Sequence, residues 1–321
     1  MRKLSILFSE TRDPQRAVER VVAAEQRGFH SAVLGTAFGL DPLTVFAVAA
    51  TRTRRILLTT AVVPSWPRHP LALAQQAATV HAVSGGRLRL GVGPSHAPVI
   101  EHMYGLRFEK PVRHAVEYLT VLRGLLQEGA SKFAGETYQV NAPLDVVGGR
   151  GVPVLLSALG EPMARAAGRC ADGVLPWLAP PRFVGEVLVP AVRAGAAAAD
   201  RPAPPLIAEI PCVLSTDRDE VREAVRRELA IYPRMPFYRT LLERAGVPGA
   251  AESARAGWSD GMIDAVVPHG DEAALARAID AYFGAGADEV VLSPLGAGRD
   301  PAASFERCCD TLARIARDAV A

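Results

Sequence analysis

The residues best suited to chemistry in this chain stand in a glycine-rich loop that follows a short apolar run. The run covers residues 88–92 and leads into Gly93-Pro94-Ser95-His96. Because glycine has no Cβ, the backbone at Gly91 and Gly93 can approach a ligand closely. His96 stands at the exit of the run, where an imidazole that titrates near neutral pH could donate or remove a proton. The alternative is a hydrogen-bonded loop histidine that only lines the ligand.

Gly91-x-Gly93 also resembles the beginning of a dinucleotide-binding fingerprint. His96 occupies the place of the third glycine, and no helix of apolar periodicity opens directly after it. That fingerprint needs its third glycine for close packing of the helix on the strand. The loop therefore belongs to another kind of site.

The elements that must position this loop are eight short apolar runs that alternate with segments of helical periodicity. The runs cover residues 4–8, 32–34, 56–63, 88–92, 152–156, 173–175, 206–214 and 289–292. The helical segments cover 14–27, 42–52, 70–83, 111–127, 162–170, 181–199, 219–232 and 272–283, with a last helix over 301–319. Eight alternating units predict a parallel sheet closed into a (β/α)8 TIM barrel, and 321 residues fit a single domain of that kind.

Local signals mark several helix starts and two long connections. Proline directly after a polar residue, as in Asp13-Pro14, Asp41-Pro42, His69-Pro70 and Asp300-Pro301, is typical of a first helical turn. Residues 132–140 predict a hairpin between the fourth and fifth strands, and a larger insertion of about 217–262 follows the seventh strand. Loops after strands line the catalytic face of a barrel, so this insertion could form a lid, or its aromatic residues could pack only on each other.

Composition argues against several classes of partner. The net charge is +2, and the arginines of residues 218–227 alternate with acidic residues as on a solvated helix, which argues against a nucleic-acid surface. No apolar run reaches the roughly 20 residues that span a membrane, and the apolar part of the N-terminus is too short for a signal peptide. The four cysteines without CxxC spacing predict free thiols, and the histidines lack metal-ligand spacing. We expect a cytoplasmic protein without a metal that acts on a small molecule.

Six motifs, in order along nearly the whole chain, resemble the bacterial luciferase-like monooxygenase superfamily. They are Ala24-Glu25-x-x-Gly28-Phe29, Thr51-x-Thr53-x-Arg55-Ile56, Pro67-Arg68-His69-Pro70, Ser84-Gly85-Gly86-Arg87-Leu88-x-Leu90-Gly91-Val92-Gly93, Phe133-x-Gly135-Glu136-x-Tyr138 and Ala171-Asp172-Gly173-Val174. More narrowly, the set is similar to the coenzyme F-420 (deazaflavin)-dependent oxidoreductases of that superfamily. The resemblance also implies a homodimer formed through the helices after strands two and three.

The activity implied by the resemblance is hydride transfer between C5 of the deazaflavin and a small organic substrate. Reduced deazaflavin reacts poorly with oxygen, so reduction of a C=C or C=N bond is favoured over oxygen insertion. An FMN-dependent monooxygenase is the first alternative. A non-catalytic protein that binds a flavin or deazaflavin is the second.

The resemblance also implies where the cofactor and substrate lie. Family members carry a non-prolyl cis peptide against the ring, which by position falls at Ala61-Val62, and the cofactor tail runs to the loop after strand five, where a helix N-terminus suits a phosphate. The cofactor contacts implied are Thr36, Ala61, Val62, Pro64, Gly93, Ser95, Ser157, Ala158, Leu159 and Gly160. Phe38, Trp66 and Trp177 follow strands two, three and six and could wall a planar substrate, with core packing as the alternative for Trp177.

The chain departs from the family pattern at the catalytic positions. Deazaflavin-dependent sugar-phosphate dehydrogenases carry an Asp-His pair after strand two and a glutamate after strand four. Gly35-Thr36 and His96 stand in those places here. We therefore expect His96 as the proton-transfer residue and a substrate other than a sugar phosphate.

Overall fold

The fold is a barrel of parallel strands, seen in a computed structural model that describes residues 2–8, 12–35 and 39–318. The wall strands are β1 (Lys3–Phe8), β2 (Ser31–Leu34), β3 (Leu57–Thr60), β5 (Leu88–Gly93), β8 (Val154–Ser157), β9 (Gly173–Leu175), β10 (Ile207–Cys212) and β11 (Glu289–Pro294). Their order is β10-β11-β1-β2-β3-β5-β8-β9, and the bridges Val174–Leu206 and Trp177–Glu209 join β9 to β10. The predicted (β/α)8 TIM barrel is confirmed.

The helices pack around this wall. They are α1 (Pro14–Arg27), α2 (Pro42–Arg52), α3 (Pro70–Val83), α4 (Ala97–His102), α5 (Pro111–Arg123), α6 (Glu161–Cys170), α7 (Pro181–Phe183), α8 (Val189–Ala197), α9 (Arg218–Glu228), α10 (Pro236–Arg244), α11 (Ser253–Ala256), α12 (Asp260–Val266), α13 (Glu272–Gly284) and α14 (Pro301–Asp318). A π-helical turn, Gly124–Glu128, continues α5, and a second, Val184–Leu188, joins α7 to α8. The proline starts are confirmed: Asp13 and Asp41 cap α1 and α2 through their carboxylates.

Strand residues alternate between the helix layer and the barrel interior. Val33, Leu155, Leu175, Ile207 and Val291 form one buried cluster, on which Ala61 and Val62 pack. A separate and larger apolar core fills the space between the wall and the helices. This alternation follows from the two-residue period of a strand and is what aims particular side chains into the barrel.

The predicted third strand, residues 56–63, is interrupted in the structure. The Ala61-Val62 peptide is cis, and the chain resumes as the short strand β4 (Val63–Pro64), which pairs with β5. The predicted helix 219–232 also ends early, at Glu228. Pro233 has no N–H to continue the helix by bonding the carbonyl of Leu229, and the indole of Trp258 donates to that oxygen instead, at 2.8 Å.

The two long connections have different positions. The hairpin of β6 (Ala130–Ala134) and β7 (Gln139–Pro143) is confirmed, and it follows α5. Its tip folds back onto α5, where the Glu117 carboxylate accepts N–H bonds from residues 136–138. Between β10 and α13 lie α9, α10, α11 and α12, and the predicted insertion 217–262 falls within this segment. Within the described ranges, no helix is both long enough and apolar enough to cross a bilayer.

Candidate active site

Three strand ends meet at the position of the predicted cofactor ring. Pro64 pairs with Gly93, and the N–H of Ser65 donates to the carbonyl of Gly93 at 2.9 Å. A Cβ placed on Gly93 would lie 2.9 Å from Val62 Cγ2 and 3.0 Å from the Cβ of Ser157. The structure therefore brings Val62, Pro64, Gly93 and Ser157 together, and glycine at position 93 is what permits their approach.

Glycines at the ends of the neighbouring strands β2 and β5 serve packing inside the protein. A Cβ on Gly91 would lie 1.9 Å from the carbonyl oxygen of Thr60, and one on Gly35 would lie 2.8 Å from the carbonyl oxygen of Ala61. The space that glycine leaves at position 91 is filled by the neighbouring strand. The interpretation that Gly91 opens room for a ligand is wrong, since the close approach is made by backbone.

The loop after β8 leads into α6, as the cofactor-tail prediction requires. Ala158 is buried and donates its N–H to the carbonyl of Leu175 at 3.2 Å, whereas Ser157, Leu159 and Gly160 are half-buried. Gly160 is the N-cap of α6, and having no side chain it leaves the first-turn N–H groups uncapped. Glu161 brings a negative charge into that turn, where it pairs with Arg165 at 3.0 Å.

His96 stands beneath aromatic side chains of the insertion. Its ring centroid is 5.3 Å from that of Tyr238 and 6.0 Å from that of Phe237. The Nδ1 atom is buried and has no hydrogen-bond partner among the described residues. Burial lowers the pKa of His96 to about 4, so the imidazole is neutral at neutral pH. The preceding residue, Ser95, has a φ of 60°, a left-handed conformation that non-glycine residues seldom adopt.

Trp66 lies against a histidine that the sequence did not mark. Its ring stacks on His114, with centroids 3.6 Å apart and planes at 8°. The Oγ of Ser65 and the Nε2 of His114 share a hydrogen bond of 2.8 Å, while Trp66 Nε1 and His114 Nδ1 are buried without partners. Burial lowers the pKa of His114 to about 4, so this ring too is neutral at neutral pH.

Trp177 lies on the other side of the barrel mouth, at the exit of β9. Its ring centroid is 6.0 Å from that of Tyr232, and Trp177 Nε1 is buried without a hydrogen bond of good geometry. The next residue, Leu178, is buried and has a φ of 56°. A left-handed leucine costs roughly 1–2 kcal/mol, and strain of this kind concentrates at functional sites.

Two of the predicted aromatic residues, Trp66 and Trp177, belong to one continuous series of ring contacts, here called the aromatic arc. In spatial order its members are Trp66, Phe108, Phe237, His96, Tyr238, Tyr232 and Trp177, with successive centroids 4.9–6.3 Å apart. Three of these rings come from the insertion, so its aromatics pack on each other and on the predicted site residues as well. Sequence reasoning missed Phe108 in this role. For the aromatics of the insertion, which include Tyr238, it left open whether they cover the site or pack only on each other.

A charged network lies inside the barrel below the arc. Arg89 on β5 donates to both carboxylate oxygens of Glu289 on β11, at 2.7 and 2.8 Å, and the Ser5 hydroxyl donates to the same carboxylate at 2.6 Å. Glu209 on β10 is also buried, and its Oε1 has no hydrogen-bond partner. The sequence signal for Glu209 was a lone carboxylate inside an apolar run, 206–214, and it was overlooked.

The remaining predicted residues divide into two groups. Thr36 and Phe38 lie outside the described residues. His69 caps α3, since its Nδ1 accepts the N–H of Leu71 at 3.2 Å. Across the described residues, no group of three or more His, Cys, Asp or Glu side chains is arranged to hold a metal ion.

Comparison with known proteins places this architecture in a family. The luciferase-like monooxygenase family model matches residues 4–289. An uncharacterized protein of Mycobacterium tuberculosis is 30% identical over 260 residues, which are 76% of this chain and 76% of that protein. F420-dependent glucose-6-phosphate dehydrogenase of Mycolicibacterium smegmatis is 32% identical over 224 residues, or 64% of this chain and 66% of the dehydrogenase. The coenzyme F420-dependent tetrahydromethanopterin reductase of Methanopyrus kandleri superimposes with a TM-score of 0.81 at 23% identity, covering 98% of this chain and 97% of the reductase. The resemblance read from the six motifs is thereby confirmed, and the chain belongs to the luciferase-like monooxygenase family.

Proposed function

We propose that this chain is a coenzyme F-420-dependent oxidoreductase that transfers a hydride between the cofactor and a small organic substrate, with reduction of a C=C or C=N bond as the favoured reaction. The observation that carries the proposal is a grouping of unpartnered polar atoms. Seven buried side-chain N or O atoms among the described residues lack a hydrogen-bond partner, and five belong to Trp66, His96, His114, Trp177 and Glu209. Buried polar atoms are nearly always bonded, so this grouping supports a ligand with polar edges in their midst.

The aromatic arc adds the shape of that ligand. Flat side chains flanked by unpartnered N–H groups suit a planar ring whose edges carry hydrogen-bond acceptors. The deazaflavin supplies or takes the hydride at C5 when bound. In this proposal Thr36, Ala61, Val62, Pro64, Gly93 and Ser95 hold the ring, residues 157–160 hold the tail, and Phe38, Trp66 and Trp177 border the substrate. The names of two similar proteins support F-420 as the cofactor.

His96 is proposed to act as a neutral side chain. With its pKa lowered to about 4, the imidazolium form is scarce at neutral pH, so His96 offers one N–H donor and one acceptor nitrogen. We assign it hydrogen bonding to the substrate or ring in catalysis. Because Gly35-Thr36 and His96 replace the residues of the sugar-phosphate dehydrogenases, we do not extend glucose 6-phosphate to this chain as its substrate.

The homodimer is proposed to form through α2 and α3. The apolar residues Leu43, Val45, Phe46 and Ala49 of α2 are buried within the chain, so they are not the contact surface. The exposed positions of the two helices are uncharged apart from Arg52: Thr44, Val48, Thr51, Ala72, Gln75, Thr79 and Val83. A surface of small uncharged side chains suits close packing between two copies.

The free thiols of the four cysteines support a cytoplasmic location.

The test of the cofactor uses Gly160. A Cβ at this position meets nothing within 4 Å, so substitutions fit sterically. Gly160→Asp would cap α6 with a negative charge, and Gly160→Asn would cap it without one. We expect wild-type protein to bind F-420 with a Kd in the micromolar range in a fluorescence titration. The Asp variant should bind at least about tenfold more weakly than the Asn variant, since an anion then faces the phosphate.

The same titration separates the alternatives. Tighter binding of FMN than of F-420 would contradict the deazaflavin proposal and favour oxygen chemistry. Binding of F-420 without reduction of any compound in a panel of cyclic enones and imines would favour the non-catalytic binding protein. Binding of neither cofactor would refute the proposal.

The dimer proposal is tested separately by light scattering. Val48→Glu should give a monomer, and Val147→Glu, at a fully exposed valine, should not.

A further inference from the structure

Glu209 projects into the barrel beneath the aromatic arc. Glu209 lies two residues after Ile207, which belongs to the interior cluster. Because side chains two residues apart point to the same face of a strand, both project from β10 into the barrel interior. The bridge between β9 and β10 sets Glu209 directly beside Trp177. Among the described residues, the buried Oε1 of Glu209 has no hydrogen-bond partner, and the Trp177 indole N–H has none of good geometry, with the Tyr232 hydroxyl nearby. The two residues therefore lie side by side, one on β10 and the other just past the end of β9.

Among the residues that the structure describes, no cationic side chain forms an ion pair with Glu209. Arg89 on β5 is already engaged by both oxygens of Glu289 on β11. Tyr232 and Tyr238 of the insertion interact electrostatically with Glu209 and add no positive charge. Burial favours the uncharged carboxylic acid, and the neighbouring Glu289 carboxylate acts in the same direction, while Arg89 opposes both. Together they raise the pKa of Glu209 to about 8.

Reduction of a double bond needs a proton as well as a hydride. His96, with its pKa lowered to about 4, does not hold an acidic proton at neutral pH, whereas Glu209 does. A carboxylic acid kept neutral in an apolar site is a suitable donor, because its proton is present at the working pH and its release is not prohibitively uphill.

We propose that Glu209 is the acid that delivers this proton, a role that rests on the proposed reductase function. The hydride from C5 forms a bond to one atom of the C=C or C=N group, and the π bond breaks toward the other atom. That atom takes the proton from the O–H of Glu209, leaving a carboxylate. After giving up the hydride, the oxidised cofactor would release one proton to solvent, and Glu209 regains one proton from solvent before the next turnover. The substrate therefore gains one hydride and one proton, and the reduced cofactor loses one of each.

The kinetic test compares Glu209→Gln with wild-type protein, using reduced F-420 and a panel of cyclic enones and imines. For the wild type, kcat/KM should fall tenfold per pH unit above about 8, as the acid ionises. The Gln variant should lose about a hundredfold or more in kcat and lose this alkaline limb, while its Kd for F-420 stays within about threefold. Glu209→Asp should retain part of the activity. Glu101→Gln, at an exposed carboxylate on α4, is the matched control and should behave as wild type.

A second readout needs no cofactor. The infrared C=O band of a protonated carboxylic acid should be present in wild-type protein at neutral pH, should vanish as the pH rises through about 8, and should be missing in Glu209→Gln. Absence of this band, or a Gln variant with wild-type kcat and pH profile, would overturn the role of Glu209 and leave the reductase proposal standing. Failure of the wild type to bind F-420 or to reduce any panel compound would overturn both proposals.

Discussion

The buried acid Glu209 should make the stability of this protein depend on pH in a way that one substitution removes. Its pKa is about 8 in the folded chain and near the ordinary 4.5 when unfolded. Between these values the folded state binds one more proton than the unfolded state, so the free energy of unfolding decreases as the pH rises. A raised carboxyl pKa therefore destabilises the protein at alkaline pH.

The magnitude follows from the interval between the two pKa values. Each pH unit costs about 1.4 kcal/mol, and the interval spans about 3.5 pH units, which gives about 5 kcal/mol by pH 8. That is comparable with the whole stability of many domains, about 5–15 kcal/mol. Glu209→Gln has no proton to lose, so its stability relative to wild type should increase by the same amount over this range. Other titrating groups are common to both proteins and cancel in the difference.

The assay is urea unfolding followed by tryptophan fluorescence, at pH values from about 5 to about 9, for wild type, Glu209→Gln and the exposed control Glu101→Gln. The difference between the Gln variant and wild type should grow steadily up to pH 8 and then level off. The control should stay parallel to wild type. If the plots of unfolding free energy against pH for Glu209→Gln and wild type stay parallel within about 1 kcal/mol, the prediction that Glu209 is protonated and neutral in the folded protein is refuted.

Three further predictions follow from single contacts. Glu117→Gln should destabilise the protein by about 1–3 kcal/mol in urea unfolding, because the Glu117 carboxylate accepts three backbone N–H bonds at the hairpin tip. The control Glu128→Gln, at an exposed glutamate, should have little effect. The fluorescence emission of Trp66, measured as the difference between wild type and Trp66→Phe, should stay constant from about pH 8 to 5. It should be quenched only near pH 4, where the stacked His114 becomes protonated. A quenching midpoint near pH 6.5 would contradict the lowered pKa of this buried imidazole. Gly195→Ala should destabilise the protein by about 2 kcal/mol or more, because the new Cβ would lie 2.0 Å from the carbonyl oxygen of Arg165. Gly284→Ala, where a Cβ meets open space, should be neutral or stabilising by up to about 1 kcal/mol. Equal melting temperatures of the two variants would refute this contrast.

Much of the fold could be predicted because its signals are local. The Pro42 and Pro70 starts, with their capping side chains, gave α2 and α3 with the bounds that the structure has. The hairpin and the eight wall strands followed from apolar runs between turn residues. The position of the cis peptide at Ala61-Val62 came from family resemblance, since nothing in the residues themselves marks it.

The candidate site was predictable only in part. Gly93, Ser157, His96 and Trp177 were expected at strand ends, and parallel strands bring their ends to one edge of the barrel. The partners of these residues were not predictable. His114 beneath Trp66 comes from α5, and Tyr238 beside His96 comes from a helix of the insertion. Sequence spacing carries no information about which distant helix covers which strand end.

The sequence by itself determined the order of the strands and helices, the barrel they form and the family to which the chain belongs, because periodicity, caps and motifs act over a few residues. Only the tertiary structure decided the charge states. Arg89 and Glu289 are 200 residues apart, and because they pair with each other, Glu209 has no cationic partner among the described residues. A pKa depends on burial and on every charge within a few ångströms, and closure of the barrel alone brings those groups together.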